Sequence, residues 1–184
     1  LLAVQPLSAQ KAQEEKHRNI SLEFNPLAYA FGGWSIGAAY QSPQLPHWVF
    51  SAGAYSFPFP KVFVEQIAGN EGKGFGVKLR LATSVGADVY PWRKDRAGLA
   101  FGLAAVLGNF ELTQAAETGR ARYRSLYVVP RASYTWYIVK GLYIMPWLGV
   151  ELHSKVSGST MVGTKTFAPI RYQFSPNLMI GYAF

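Results

Sequence analysis

The sequence predicts an all-β fold, an eight-stranded antiparallel transmembrane up-and-down β-barrel. Three observations lead there. The first is composition: of 184 residues, 49% are hydrophobic and 15% aromatic, while only 15% are charged, against about 25% in an ordinary soluble domain. The second is that no segment can cross a membrane as a helix. The longest stretch without Asp, Glu, Lys or Arg, from Phe24 to Pro60, holds Pro26, Pro43, Pro46, Pro58, Pro60 and the Gly32-Gly33 pair, and no spanning helix survives that punctuation. Only helices and closed barrels satisfy their backbone hydrogen bonds in lipid. The third is period. From Ile170 the even positions read Ile, Tyr, Phe, Pro, Leu, Ile, Tyr, Phe to Phe184, and the odd positions are polar or small. Such alternation gives a strand one apolar and one polar face, which in a membrane barrel point to lipid and to the lumen.

Residues 1–13 come first. Leu1-Leu2-Ala3-Val4 followed by Gln5-Pro6-Leu7-Ser8-Ala9 reads as the end of a secretory signal peptide, an apolar run broken before small residues. Residues 14–19 read as a short periplasmic tail, and the barrel as 20–184. The first three strands are expected at about Ile20–Phe31, Trp34–Gln41 and Trp48–Phe57, with a tight Gly32-Gly33 hairpin between the first two. The faces of the third are not assigned.

The next strands are cleaner. Phe75, Val77, Leu79, Leu81, Thr83 and Val85 alternate with Gly76, Lys78, Arg80, Ala82, Ser84 and Gly86, and Asp88 continues the polar row. Leu99 to Leu107 places large residues on odd positions. Leu126, Val128, Pro130, Ala132, Tyr134 and Trp136 alternate with Tyr127, Val129, Arg131, Ser133, Thr135 and Tyr137. Leu142 to His153 follows the same rule, and Ile170–Phe184 closes the set. The resulting count of eight is even, as in bacterial barrels. Short connections (Ser42 to His47, Arg93 to Gly98, Val139 to Gly141) alternate with long ones (58–74, 113–125, 154–167), which predicts that both termini lie on the periplasmic side. Tyr40, Trp48, Tyr90, Trp92, Trp136, Tyr137, Tyr143, Tyr182 and Phe184 flank the short side and read as an interfacial aromatic girdle.

The ending Leu178-Met179-Ile180-Gly181-Tyr182-Ala183-Phe184 resembles the signal by which outer-membrane strands are presented to barrel-assembly machinery. With Gly86-Ala87-Asp88-Val89-Tyr90-Pro91-Trp92 and Gly98-Leu99-Ala100-Phe101-Gly102, the chain from Ile20 to Phe184 resembles the small outer-membrane β-barrel proteins of Gram-negative bacteria. The resemblance implies an outer-membrane address and that assembly partner. It supplies no catalytic residue.

Function is less legible. An eight-stranded lumen is just wide enough to be filled by side chains, so a filled lumen is expected. Glu23, Asp88 and Glu151 face it with Lys78, Arg80, Arg131 and Arg171, and a narrow interior should pair them. They read as a stiffening salt-bridge network or, in the alternative, as a narrow ion path. A lipid A-modifying enzyme is a second alternative. Its weak candidates are His153 and Glu151, which share a face, whereas Ser154 points the other way; Ser157 and Ser159 could approach instead. His17 and His47 fall in the tail and in a short turn. Arg120, Arg122 and Arg124 are spaced by two, so one face presents three guanidiniums suited to the phosphates of lipopolysaccharide.

The net charge of +8 forms no single stripe, which argues against a nucleic-acid partner. With no cysteine, thiol metal sites and disulfides are excluded, and no cofactor motif is present. The expectation is a monomeric barrel in contact with outer-membrane lipids and lipopolysaccharide, structural or interactive in role, with a soluble lipid-binding barrel as the runner-up fold.

Overall fold

A computed structural model describes residues 19–184; the expected signal segment, most of the tail and His17 lie outside the described residues. Eight strands form one closed antiparallel barrel. They are β1 (Ile20–Phe24), β2 (Trp34–Gln41), β3 (Trp48–Pro58), β4 (Phe75–Val89), β5 (Gly98–Gln114), β6 (Ala121–Tyr137), β7 (Leu142–Gly158) and β10 (Tyr172–Ala183). Each neighbours the next in sequence, and β1 closes the ring against both β2 and β10. A two-stranded flap, β8 (Met161–Val162) with β9 (Lys165–Thr166), sits in the last long loop.

The outer wall is apolar. On β6 the outward row runs Leu126, Val128, Pro130, Ala132, Tyr134 and Trp136, alternating with the buried or half-buried inward row Tyr127, Val129, Arg131, Ser133 and Thr135. At about 3.4 Å per residue and about 40° of tilt, Leu126 to Trp136 covers about 26 Å along the barrel axis, close to the apolar band of about 25 Å in membrane barrels.

Two segments differ from the sequence reading. β1 stops at Phe24, where Asn25-Pro26 starts a helix, α1 (Pro26–Ala30). Asn25 Oδ1 accepts the Leu27 N–H at 2.9 Å, and Pro26 occupies the first turn, where no amide is needed. The chain therefore leaves the wall early, and no tight hairpin forms at Gly32-Gly33. A second short helix, α2 (Lys61–Glu65), covers the loop end of the barrel, where Val64 is buried in a cluster with Phe75, Val77, Leu79, Phe110, Leu112, Tyr123 and Phe167.

The other difference is a β-bulge in β4. Leu79 pairs with Phe110 but Leu81 pairs with Asn109, so one extra residue stands against β5. A bulge shifts the pleat by one and exchanges the faces. Below it Ala82, Ser84 and Asp88 face inward, as expected. Above it Phe75, Val77 and Leu79 are the inward row, and Lys78 and Arg80 point outward.

The girdle also needs correction. Trp48, Trp92, Trp136, Tyr182 and Phe184 are exposed at the short-turn end, whereas Tyr90 and Tyr143 are 1% and 0% exposed. Both carry the inward parity of their strands and belong to the lumen. Gly181 makes room for Tyr143, since a Cβ there would collide with the phenol ring.

Candidate functional site

The lumen has two parts. Its short-turn end is closed by a polar plug. Arg96 belongs to the turn between β4 and β5 and has φ of 56°, a backbone region that disfavours side chains. This turn is braced by Asp95, whose carboxylate binds Arg93 and accepts the Ala97 N–H at 3.3 Å. The Arg93 guanidinium holds the Asp95 carboxyl below the usual carboxylate range. So presented, Arg96 runs back into the barrel and hydrogen-bonds both Glu23 and Ser21, its guanidinium 4.8 Å from the Tyr143 ring centre. The Tyr143 hydroxyl donates to Glu23 at 2.6 Å. One layer deeper, Arg131 grips Asp88 through Nε at 2.9 Å and a second nitrogen at 2.6 Å. The Asp88 carboxylate sits where a Cβ on Gly102 would be. Tyr90 and Thr135 hydroxyls meet at 2.8 Å. The Arg131–Asp88 pair is bidentate, and Arg96 divides its two terminal nitrogens between Ser21 and Glu23 while its buried Nε has no partner; charges in a narrow interior need such pairing.

Of the predicted lumen charges, Glu23, Asp88, Arg131 and Glu151 face inward. Lys78 and Arg80 do not, because of the β4 bulge, and Arg171 is exposed at the loop-end rim. Sequence spacing had no access to Arg96, the true partner of Glu23: it lies in a turn, and nothing local shows that its side chain returns inside.

Towards the loop end the expectation of a filled lumen fails. A cavity of about 1280 Å³ occupies the middle and upper barrel. One wall is lined by small residues, Gly37, Ser51, Gly53 and Ser84 of β2 to β4, and the opposite wall by Phe110, Tyr127, Val129 and Trp147 of β5 to β7. These small side chains leave space on their side of the barrel, and one large residue of that side, Tyr55 of β3, crosses it to meet the Tyr127 hydroxyl at 2.7 Å.

His153 and Glu151 lie on the cavity wall, with His153 Nε2 3.0 Å from Glu151 Oε2. The serine nearest to the ring is Ser125, not Ser154, Ser157 or Ser159; its Oγ is 3.4 Å from His153 Nδ1. The arrangement is reversed with respect to nucleophilic catalysis, in which the serine faces the substrate and the carboxylate lies behind the base. Here Glu151 faces the cavity, and Ser125 is buried in the wall and donates to the Ser154 carbonyl at 3.1 Å. Tyr127 stacks on the His153 ring at 4.1 Å between centres and holds it in place. Ser125 was hidden from the sequence because the Tyr127–His153 register of β6 on β7 cannot be read from either strand alone.

A third group lies outside the barrel. On the outward face above the apolar row, Glu111 of β5 is surrounded by Arg80 of β4 (3.3 Å), Arg120 (3.3 Å) and Arg122 of β6 (3.0 Å). Arg124 donates to Asn109 at 2.9 Å, and Lys78 stands opposite Glu111 in register. Five bases thus surround one acid on β4 to β6. The guanidiniums remain about half to two-thirds exposed, at 48% to 68%, while Glu111 is covered.

Comparison with known proteins adds one result. A major outer membrane protein from Thermus thermophilus has a similar structure, with a TM-score of 0.51, 14% identity, and alignment over 90% of this chain and 98% of that one. The likeness is one of fold. It supports the closed barrel and carries no residue roles across. No protein-family model and no curated relative matches the chain.

Proposed function

We propose that this chain is an outer-membrane barrel, with both termini periplasmic, that engages lipopolysaccharide through the basic belt on β4 to β6. The apolar outer wall supports membrane residence, because a soluble barrel would leave Leu103, Leu126, Trp136 and Leu152 in water. The outer-membrane protein with a similar fold supports the choice of membrane. The single observation that carries the lipopolysaccharide reading is the outward turn of Lys78 and Arg80 at the β4 bulge. It adds two cations to Arg120, Arg122 and Arg124 on one face, just above the apolar row. Planar guanidiniums with free donors match phosphate oxygens, and a single carboxylate neutralises only part of the cluster. The role is structural and interactive: a stiff, plugged barrel that crosslinks the outer leaflet and presents loops.

The test is thermal unfolding of the purified protein in detergent with and without lipopolysaccharide. Wild type is stabilised by the ligand. The Arg120→Ser, Arg122→Ser, Arg124→Ser variant loses most of that increment, measured against its own unfolding temperature without ligand. An unchanged increment would remove the reading.

A further inference from the structure

The wall of the barrel has a seam. β1 pairs with β10 only from Ser21↔Ala183 to Phe24↔Ile180, so β10 from Tyr172 to Met179 has β7 as its sole strand neighbour among the described residues. The space that would belong to a longer β1 is taken by α1. An interrupted wall ordinarily exposes unpaired amides and carbonyls, which lipid cannot satisfy. Here that exposure is reduced. Along β10, the Ala183 amide points to the β7 side and the Phe184 amide to the β1 side. Period two therefore aims positions 172, 174, 176 and 178 at the seam. Position 176 is proline and has no N–H, and the Leu178 N–H donates to Asn177 Oδ1 at 2.9 Å. Across the seam, the Ser35 carbonyl of β2 accepts the Tyr29 hydroxyl of α1 at 2.9 Å. One side-chain contact, Asn25 Nδ2 to Asn177 Oδ1 at 2.6 Å, spans it. Beside α1, side chains thus satisfy part of both edges, so the seam is built into the wall.

The cavity reaches this seam: Leu27, Ala28 and Phe31 of the α1 segment line it together with Ser175 and Asn177 of β10. Its volume of about 1280 Å³ exceeds the roughly 300–1,000 Å³ of ordinary small-molecule sites, which leaves room for a long chain. Its interior is mostly aromatic and aliphatic. At the rim, Lys155 of β7 and Arg171, just before β10, are both exposed, with Arg171 bonded through its carbonyl to the His153 amide at 2.8 Å. A site with an apolar body and a cationic rim matches an amphiphile with an acyl chain and an anionic head. We propose that the cavity binds such an amphiphile, the chain lying between Ser84 and the Phe110–Tyr127 wall and the head at Lys155 and Arg171, and that it enters sideways from the membrane through the α1–β10 seam. This site is separate from the basic belt and needs no lipopolysaccharide.

The experiment is binding of cis-parinaric acid, a fluorescent fatty acid, to the full chain in a neutral detergent. Saturable binding is expected, displaced by hexadecanoate and not by a hexadecyl trimethylammonium salt. Ser84→Phe, which places a ring in the cavity, should weaken binding by at least about tenfold with the heat-dependent gel shift of a folded barrel intact; Ser84→Leu, a smaller filler, should do so in part. Lys155→Glu with Arg171→Glu should abolish the preference for the anionic head. Absence of saturable binding, equal displacement by both head groups, or full affinity in both Ser84 variants overturns the site. The route is tested by Asn25→Cys with Asn177→Cys in this cysteine-free chain. The oxidised form should load the probe more slowly than the reduced form, and equal loading rates would overturn the lateral route.

Discussion

The Arg96 guanidinium, on a turn outside the wall, hydrogen-bonds the Glu23 carboxylate inside it, 73 residues away in sequence. The pair is almost fully buried, with side-chain exposures of 4% and 6%. It ties the β4–β5 turn to β1, the shortest strand of the ring and the one that closes it. Removing one member of such a pair strands a charge, whereas removing both does not. Arg96→Ala should therefore lower stability by about 3–5 kcal/mol, read by denaturant unfolding in detergent. Arg96→Met combined with Glu23→Met should recover a substantial part of that loss. Equal losses in both variants would show that the charges do not act as a pair.

The same plug determines what the lumen conducts. Arg96–Glu23–Tyr143 and, one layer in, Asp88–Arg131 with Tyr90–Thr135 occupy the short-turn end. The cavity above is a blind pocket with respect to that end. Planar bilayers containing the protein should show no discrete conductance steps, and steady unitary currents would mean that the plug opens.

His153 stacks on Tyr127 and holds Glu151 towards the cavity, while the neighbouring serine is turned into the wall. His153→Ala should leave the lipid A species of the host outer membrane as they are with the wild-type protein, measured by mass spectrometry. A lipid A species that appears with wild type and disappears with His153→Ala would make this an enzyme.

Much of the architecture was legible because period two is a local property. The even-numbered faces of β6 and β10, the short turns and the closing phenylalanine each report on themselves. What could not be read depends on events at single residues or between distant strands. The extra residue at the β4 bulge carries Lys78 and Arg80 from the expected lumen to the outer surface. Asn25-Pro26 is a helix start inside an apparent strand, and it creates the seam. The Arg96–Glu23 pair and the Ser125–His153 approach arise from tertiary register, for which no local spacing stands in. The cavity follows from the same limit: each small lumen residue is visible singly, but their placement on one side of the barrel is a property of the closed ring.

A membrane barrel with its basic belt at the outer leaflet has a definite orientation, which labelling of intact cells reads. The chain has no cysteine, so Thr118→Cys, in the connection between β5 and β6 beside the belt, and Lys94→Cys, in the short turn between β4 and β5, each give a single label site. A membrane-impermeant maleimide should label the Thr118→Cys protein on intact cells and the Lys94→Cys protein only after the outer membrane is opened. Labelling of Lys94→Cys alone on intact cells would put the belt on the periplasmic side and overturn this orientation, and labelling of both sites would overturn it as well.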